Sequence, residues 1–167
     1  MAHLKHTTWQ RQRGLTLVEL MVTIAVIAIL ATTAVSTMSN MRAKQQVIAA
    51  AEEILSKAQR AKSLARKKSE DFQITFDNDA NVGVLTVSGS DYTEDLNLAQ
   101  LHPNVSVASN QESFTFKYLR SDVNLNGSIT VTSKSKPDTY SANVVIFRNG
   151  RVRNCSVAGL NGRYDDC

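Results

Sequence analysis

From Leu15 to Met41 the chain carries a single charged residue, Glu19. The run LMVTIAVIAILATTAV at 20–35, extended back by Leu15, Leu17 and Val18, approaches the roughly 20 apolar residues that an α-helix needs to cross a bilayer. Ahead of it, residues 1–14 hold Lys5, Arg11 and Arg13 and no acid, a net of +3. That bias predicts a cytoplasmic N-terminus and an exported remainder. An ordinary secretory signal has its small-residue cleavage site after the apolar region. Here the clear break is a lone Gly14 before it, so the apolar segment is expected to stay on the protein as an anchor. A carboxylate in hydrocarbon is costly and normally has a partner, which marks Glu19 as a functional candidate.

No Gly or Pro occurs between Gly14 and Gly83. Within that gap residues 42–68 are rich in helix-favouring Ala, Leu, Lys, Arg, Gln and Glu. Val47, Ala51, Ile54, Ala58, Ala61 and Ala65 recur at helical spacing, with Ile48 and Leu55 beside them. One helix from about Leu15 to Lys68 is therefore predicted, its first half apolar and its second half amphipathic. Strands are expected to follow. Residues 71–76 alternate Phe72, Ile74 and Phe76 with polar neighbours, Asn78–Asn81 reads as a turn, and Val82–Val87 as the return strand. Further strands are expected at 104–108, 113–119, 128–132 and 140–147, with turn chemistry at Asn126-Gly127 and Lys136-Pro137-Asp138. The predicted class is α+β: a long N-terminal helix, its first half transmembrane, packed on a C-terminal antiparallel β domain. The predicted organisation is a leader at 1–14, a spanning helix at 15–41 and a globular domain at 42–167.

Catalysis finds little material. Beyond the leader the one histidine is His102, beside Pro103, which reads as a solvated loop residue. No HExxH, GxSxG or glycine-rich phosphate loop is present, and neither a cofactor nor a metal is expected. The net charge of +4 is unevenly spread. Basic residues concentrate in Lys57–Lys68, whose plain reading is a solvated helix face, and in Arg148, Arg151, Arg153 and Arg163. Asn149-Gly150 is a strong hairpin signal between Val144–Phe147 and Arg151–Cys155. A two-residue turn there would oppose Arg148 to Arg151. It would put Arg151 and Arg153 on one face, and send Val145, Phe147 and Val152 to the buried side. Arginine forks suit phosphate, so weak, salt-sensitive, sequence-indifferent binding of a polyanion is expected. The alternative is a solvated basic turn partly neutralised by Asp165 and Asp166. In an oxidising compartment Cys155 and Cys167 would pair, closing a short loop worth about 3 kcal/mol in the chain-entropy model; a free pair is the alternative.

The segment RQRGLTLVELMVTIAVIAIL at 11–30 resembles the prepilin-type signal of the type IV pilin family. The resemblance implies cleavage by a prepilin peptidase between Gly14 and Leu15, N-methylation of Leu15, and Glu19 as the fifth mature residue, meeting the N-terminal amine of a neighbouring subunit during assembly. The family more often has Phe where this chain has Leu15. With the long helix and strands, the terminal Gly150-Arg151-Val152-Arg153-Asn154-Cys155 resembles the FimT/GspH family of minor pilins. Its Gly-Arg-x-Arg element, implicated in DNA binding during natural transformation, maps onto Arg151 and Arg153. Arg148 and Arg163 are added by the hairpin geometry. The resemblance further implies a single-pass inner-membrane protein with a periplasmic C-terminal domain, later incorporated in an extracellular pilus. Its partners would be DNA, other major and minor pilins, the peptidase and, before assembly, inner-membrane lipid. A GspH-like pseudopilin or pilus-priming subunit, structural and without DNA binding, is the alternative.

Overall fold

The computed structural model describes residues 16–77 and 83–167. Gly14, Leu15 and the Asn78–Asn81 turn lie outside the described residues. A first helix, α1, runs Leu17–Lys68, through the long stretch without Gly or Pro. Its start is a reciprocal cap: the Glu19 N–H donates to Thr16 Oγ1 at 3.2 Å, and the Thr16 N–H donates to a Glu19 carboxylate oxygen at 3.4 Å. Basic Arg66, Lys67 and Lys68 occupy its last turn, where they complement the helix dipole. The chain divides into two compact units, the first ending at Met38 and the second spanning Ser39–Cys167. In the first, Leu17, Leu20, Ile24, Ile27 and Leu30 are all exposed, and by length and composition the helix is apolar enough to cross a membrane.

In the second unit α1 turns amphipathic. Val47, Ala51, Ile54, Ala58, Ala61 and Ala65 are fully buried, the face that the sequence spacing predicts. They share one core with the inner faces of two four-stranded antiparallel sheets. The first sheet contains β1 (Phe72–Phe76), β2 (Val84–Gly89), β3 (Tyr92–Asn97) and β5 (Ser113–Phe116), in the order β3-β2-β1-β5. The second contains β4 (Val105–Ser109), β6 (Gly127–Ser133), β7 (Ser141–Ile146) and β8 (Val152–Ala158), in the order β4-β6-β7-β8. A one-turn helix, α2 (Leu98–Leu101), links β3 to β4. Strand β1 buries Phe72, Ile74 and Phe76 and exposes the residues between them. Gly127 opens β6 where a Cβ would lie 2.5 Å from the Phe114 ring, so the absent side chain lets the core phenylalanine fit.

The α+β architecture is as the sequence predicts, with three local differences. Strand β3 carries Glu94 and Asp95 on an edge, and its polar composition hides it from a hydrophobic pattern. The strand expected at 113–119 stops at Phe116, because Ser121 N–H turns back to the Lys117 carbonyl at 2.9 Å. His102 is not a solvated loop residue: its side chain is mostly covered, and its Nε2 lies 3.1 Å from Glu53 of α1.

Candidate functional site

The register of β7 against β8 pairs Ile146 with Val152, Val145 with Arg153 and Val144 with Asn154. Beyond it, the Phe147 N–H donates to the Arg151 carbonyl at 2.9 Å and the Gly150 N–H to the Phe147 carbonyl at 2.8 Å. Gly150 has φ +74°. The connection is therefore a three-residue loop, Arg148-Asn149-Gly150, closed by a left-handed glycine, and not the two-residue turn expected from Asn149-Gly150. The one-residue shift changes every neighbour. Val144 and Ile146 are fully buried with Ala142, whereas Val145 and Phe147 are only half-buried. The apolar run Val144–Phe147 has no period of its own, so packing against α1 selects the pair that faces inward.

Two corrections follow. Arg148 does not oppose Arg151, so no like-charge pair faces across the strands. Phe147 leaves the buried side and joins the arginines, and the Arg153 guanidinium sits 5.6 Å above its ring centroid. Arg151 and Arg153 do share a face by strand alternation, opposite Val145 and Phe147. Arg148 and Arg151 are exposed, and among the described residues neither has a carboxylate partner. Arg153 is half-buried, and its Nε is shielded from solvent without an acceptor.

Two segments pin the loop, α1 and the connection between β5 and β6. The Lys62 ammonium donates to the Gly150 carbonyl at 2.7 Å. The Val123 N–H donates to the Arg148 carbonyl at 2.8 Å, and the Arg148 N–H to Asn126 Oδ1 at 2.5 Å. A Cβ on Gly150 would fall 1.8 Å from the Ser121 carbonyl oxygen, so this turn needs glycine for both conformation and space. Lys62 was not distinguishable in the sequence from its basic neighbours. It lies 88 positions from Gly150, and no local pattern joins the two.

Arg163 is engaged elsewhere. Its guanidinium forms an ion pair with Glu52 of α1, and the Tyr164 hydroxyl donates to the same carboxylate oxygen at 3.3 Å. The hydrogen bond to Glu52 raises the Arg163 pKa further above its ordinary value. Neither Asp165 nor Asp166 forms an ion pair with a hairpin arginine among the described residues. Cys155 and Cys167 are bonded, with sulfurs 2.06 Å apart and Cα atoms 5.0 Å apart. With the Cys167 N–H donating to the Ser156 carbonyl at 3.2 Å, the bond fastens the chain end to β8. Two cations of α1 contrast with the hairpin, while Arg66, Lys67 and Lys68 of the same helix are exposed without an ion pair among the described residues. Lys57 and Arg60 both pair with Glu94 of β3, whose carboxyl is held below its ordinary value chiefly by the Lys57 hydrogen bond. No cluster of three His, Cys, Asp or Glu side chains suited to a metal occurs among the described residues.

Residues 9–35 match the prokaryotic N-terminal methylation motif. No curated protein matches the sequence. In three dimensions the chain is similar to the type IV minor pilin FimU of Pseudomonas aeruginosa, with 17% identity and a TM-score of 0.54 over 66% of this chain and 88% of that one. It is also similar to the minor pseudopilin EpsH from the type 2 secretion system of Vibrio cholerae, with 12% identity and a TM-score of 0.53 over 66% of this chain and 97% of that one. The chain thus combines a pilin-like fold, a long helix followed by antiparallel sheets, with an N-terminal methylation motif.

Proposed function

We propose that this chain is a minor subunit of a type IV pilus or a related pseudopilus, and that its C-terminal hairpin binds DNA without sequence preference in support of DNA uptake. The subunit role is supported by the methylation motif at residues 9–35 and by the fold shared with minor pilins and pseudopilins. On this reading a peptidase cuts between Gly14 and Leu15 and methylates Leu15. The apolar part of α1 holds the subunit in the inner membrane and then in the filament, where Glu19 meets a neighbour's terminal amine. Mass spectrometry of the purified chain is expected to find a mature N-terminus at Leu15 carrying one added methyl group. An N-terminus at Met1 in a strain with an active peptidase excludes this processing.

One observation carries the DNA reading: Arg148 and Arg151 stand exposed, without carboxylate partners among the described residues, beside the half-buried Arg153, on a turn held in place by α1 and the β5–β6 connection. Cations kept free on a rigid turn are available to phosphates, and planar guanidinium forks can grip them in pairs. The test is binding of labelled DNA to the full chain in non-ionic detergent, across a salt series, beside Arg151→Gln and Arg153→Gln. Binding that weakens with salt and collapses in both variants is the expected result. The second reading, a structural pseudopilin, rests on the likeness to EpsH. It predicts no DNA binding at low salt and loss of filament assembly on deletion of the gene.

A further inference from the structure

We infer that Lys117 and Arg120, on the connection between β5 and β6, belong to the same phosphate-binding surface as the hairpin arginines. Nothing in the sequence associates this connection with the hairpin, and its first residues read there as strand. In the structure the two loops are one unit. The Ser121 carbonyl packs against Gly150, Val123 donates to the Arg148 carbonyl, and Asn126 accepts from the Arg148 N–H. The connection is also ordered internally. The Lys117 N–H donates to the Asp122 carbonyl and the Ser121 N–H to the Lys117 carbonyl, each at 2.9 Å, and Asp71 Oδ1 accepts from the Tyr118 N–H at 3.1 Å. Lys117 and Arg120 are exposed, and neither side chain has a hydrogen-bond or ion-pair partner among the described residues. They line a hollow with Asp71, Tyr118, Leu119 and Asp122. The hollow also holds two acids: Asp71, exposed, with one oxygen accepting from the Tyr118 amide, and Asp122, half-buried with one oxygen shielded from solvent. Neither forms an ion pair with Lys117 or Arg120 among the described residues, so both cations stay available to a phosphate. The hairpin and the adjoining loop then offer five cations, Lys117, Arg120, Arg148, Arg151 and Arg153, to a phosphodiester backbone.

The count of engaged cations is measurable, because each phosphate contact steepens the salt dependence of binding. With five contacts, affinity for duplex DNA falls about 500-fold between 50 and 200 mM salt; with three, about 40-fold. For a single-stranded oligonucleotide of the same length the corresponding losses are about 130-fold and about 20-fold. The experiment compares the full chain in non-ionic detergent with Lys117→Gln/Arg120→Gln, on both oligonucleotides. A control, Lys44→Gln/Lys134→Gln, removes the same charge elsewhere. Lys134 follows the far end of β6, and Lys44 lies one turn from Asn40, which Lys136 holds at that end.

The expected outcome is a shift from the steeper to the shallower dependence in the loop variant and not in the control. This inference rests on the DNA reading of the hairpin, and the two fail differently. If the unmodified chain does not bind at low salt, the DNA reading itself fails. If it binds with the shallower dependence and the loop variant is identical, the hairpin acts without the loop and this inference is overturned. Equal weakening in variant and control also overturns it, by reducing the effect to net charge.

Discussion

Two groups of cations in this domain look alike in composition and differ in their surroundings. Lys57 and Arg60 of α1 share Glu94, and Arg163 is paired with Glu52. Arg148 and Arg151, and with them Lys117 and Arg120, have no carboxylate among the described residues. The first group fastens the helix to the sheets and to the chain end, so its charge is already answered within the fold. The second stands on two loops that hold each other, with the charge left over. A run of basic residues is therefore a poor guide to an anion site. The distribution of partner acids, which only the folded chain reveals, decides which cations are free.

The largest effect that would break this contrast is on the free group. Arg151→Gln with Arg153→Gln is expected to lower DNA affinity at 50 mM salt by about 100-fold, taking each charge-assisted contact near its lower range. A loss under threefold in a salt-series titration would put these arginines on the same footing as the paired ones. Next is the turn that presents them. Gly150→Ala forces a Cβ onto φ +74° and against the Ser121 carbonyl, and is expected to lower stability by about 2 kcal/mol, read by urea unfolding. An unchanged midpoint would mean that the turn is not held as described.

The paired group should respond through stability. Glu94→Gln is expected to cost under about 1 kcal/mol near neutral pH, because the pair is partly exposed. Since the folded pKa of Glu94 is depressed, its contribution is present above the unfolded carboxylate value, about 4.3. It is lost as pH falls through the folded value. Unfolding of the unmodified chain should therefore weaken more than that of the variant between pH 6 and pH 3; parallel curves would remove Glu94 from the account. The smallest effect belongs to Arg163→Gln, which is expected to change DNA affinity by less than about twofold beyond its net-charge effect, because its guanidinium is already engaged by Glu52. A loss matching that of Arg151→Gln would move Arg163 into the free group.

Much of the architecture was legible because it depends on local periodicity. The stretch without Gly or Pro and the spacing from Val47 to Ala65 mark α1 and its buried face. The alternation of Phe72, Ile74 and Phe76 marks β1. Strand β3 was not legible, because an edge strand with Glu94 and Asp95 has little apolar signal of its own and is defined by its pairing with β2. Within the candidate site, Arg151 and Arg153 stand out by composition and share a face by alternation alone. The loop length was misread because Asn-Gly serves both a two-residue turn and a longer loop ending in left-handed glycine.

What the sequence determines by itself follows from interactions between near neighbours: an apolar helix, its amphipathic continuation, the alternating strands, and two cysteines close enough in the chain to join. Tertiary structure alone decided which of Val144–Phe147 face inward, and hence that Phe147 lies beneath Arg153 rather than in the core. It alone brought Lys62 to Gly150 and Glu52 to Arg163, across separations of 88 and 111 positions. The physical reason is common to both. Register and charge pairing are set by surfaces that meet only when helix and sheets pack, and until then each residue has several equally good partners.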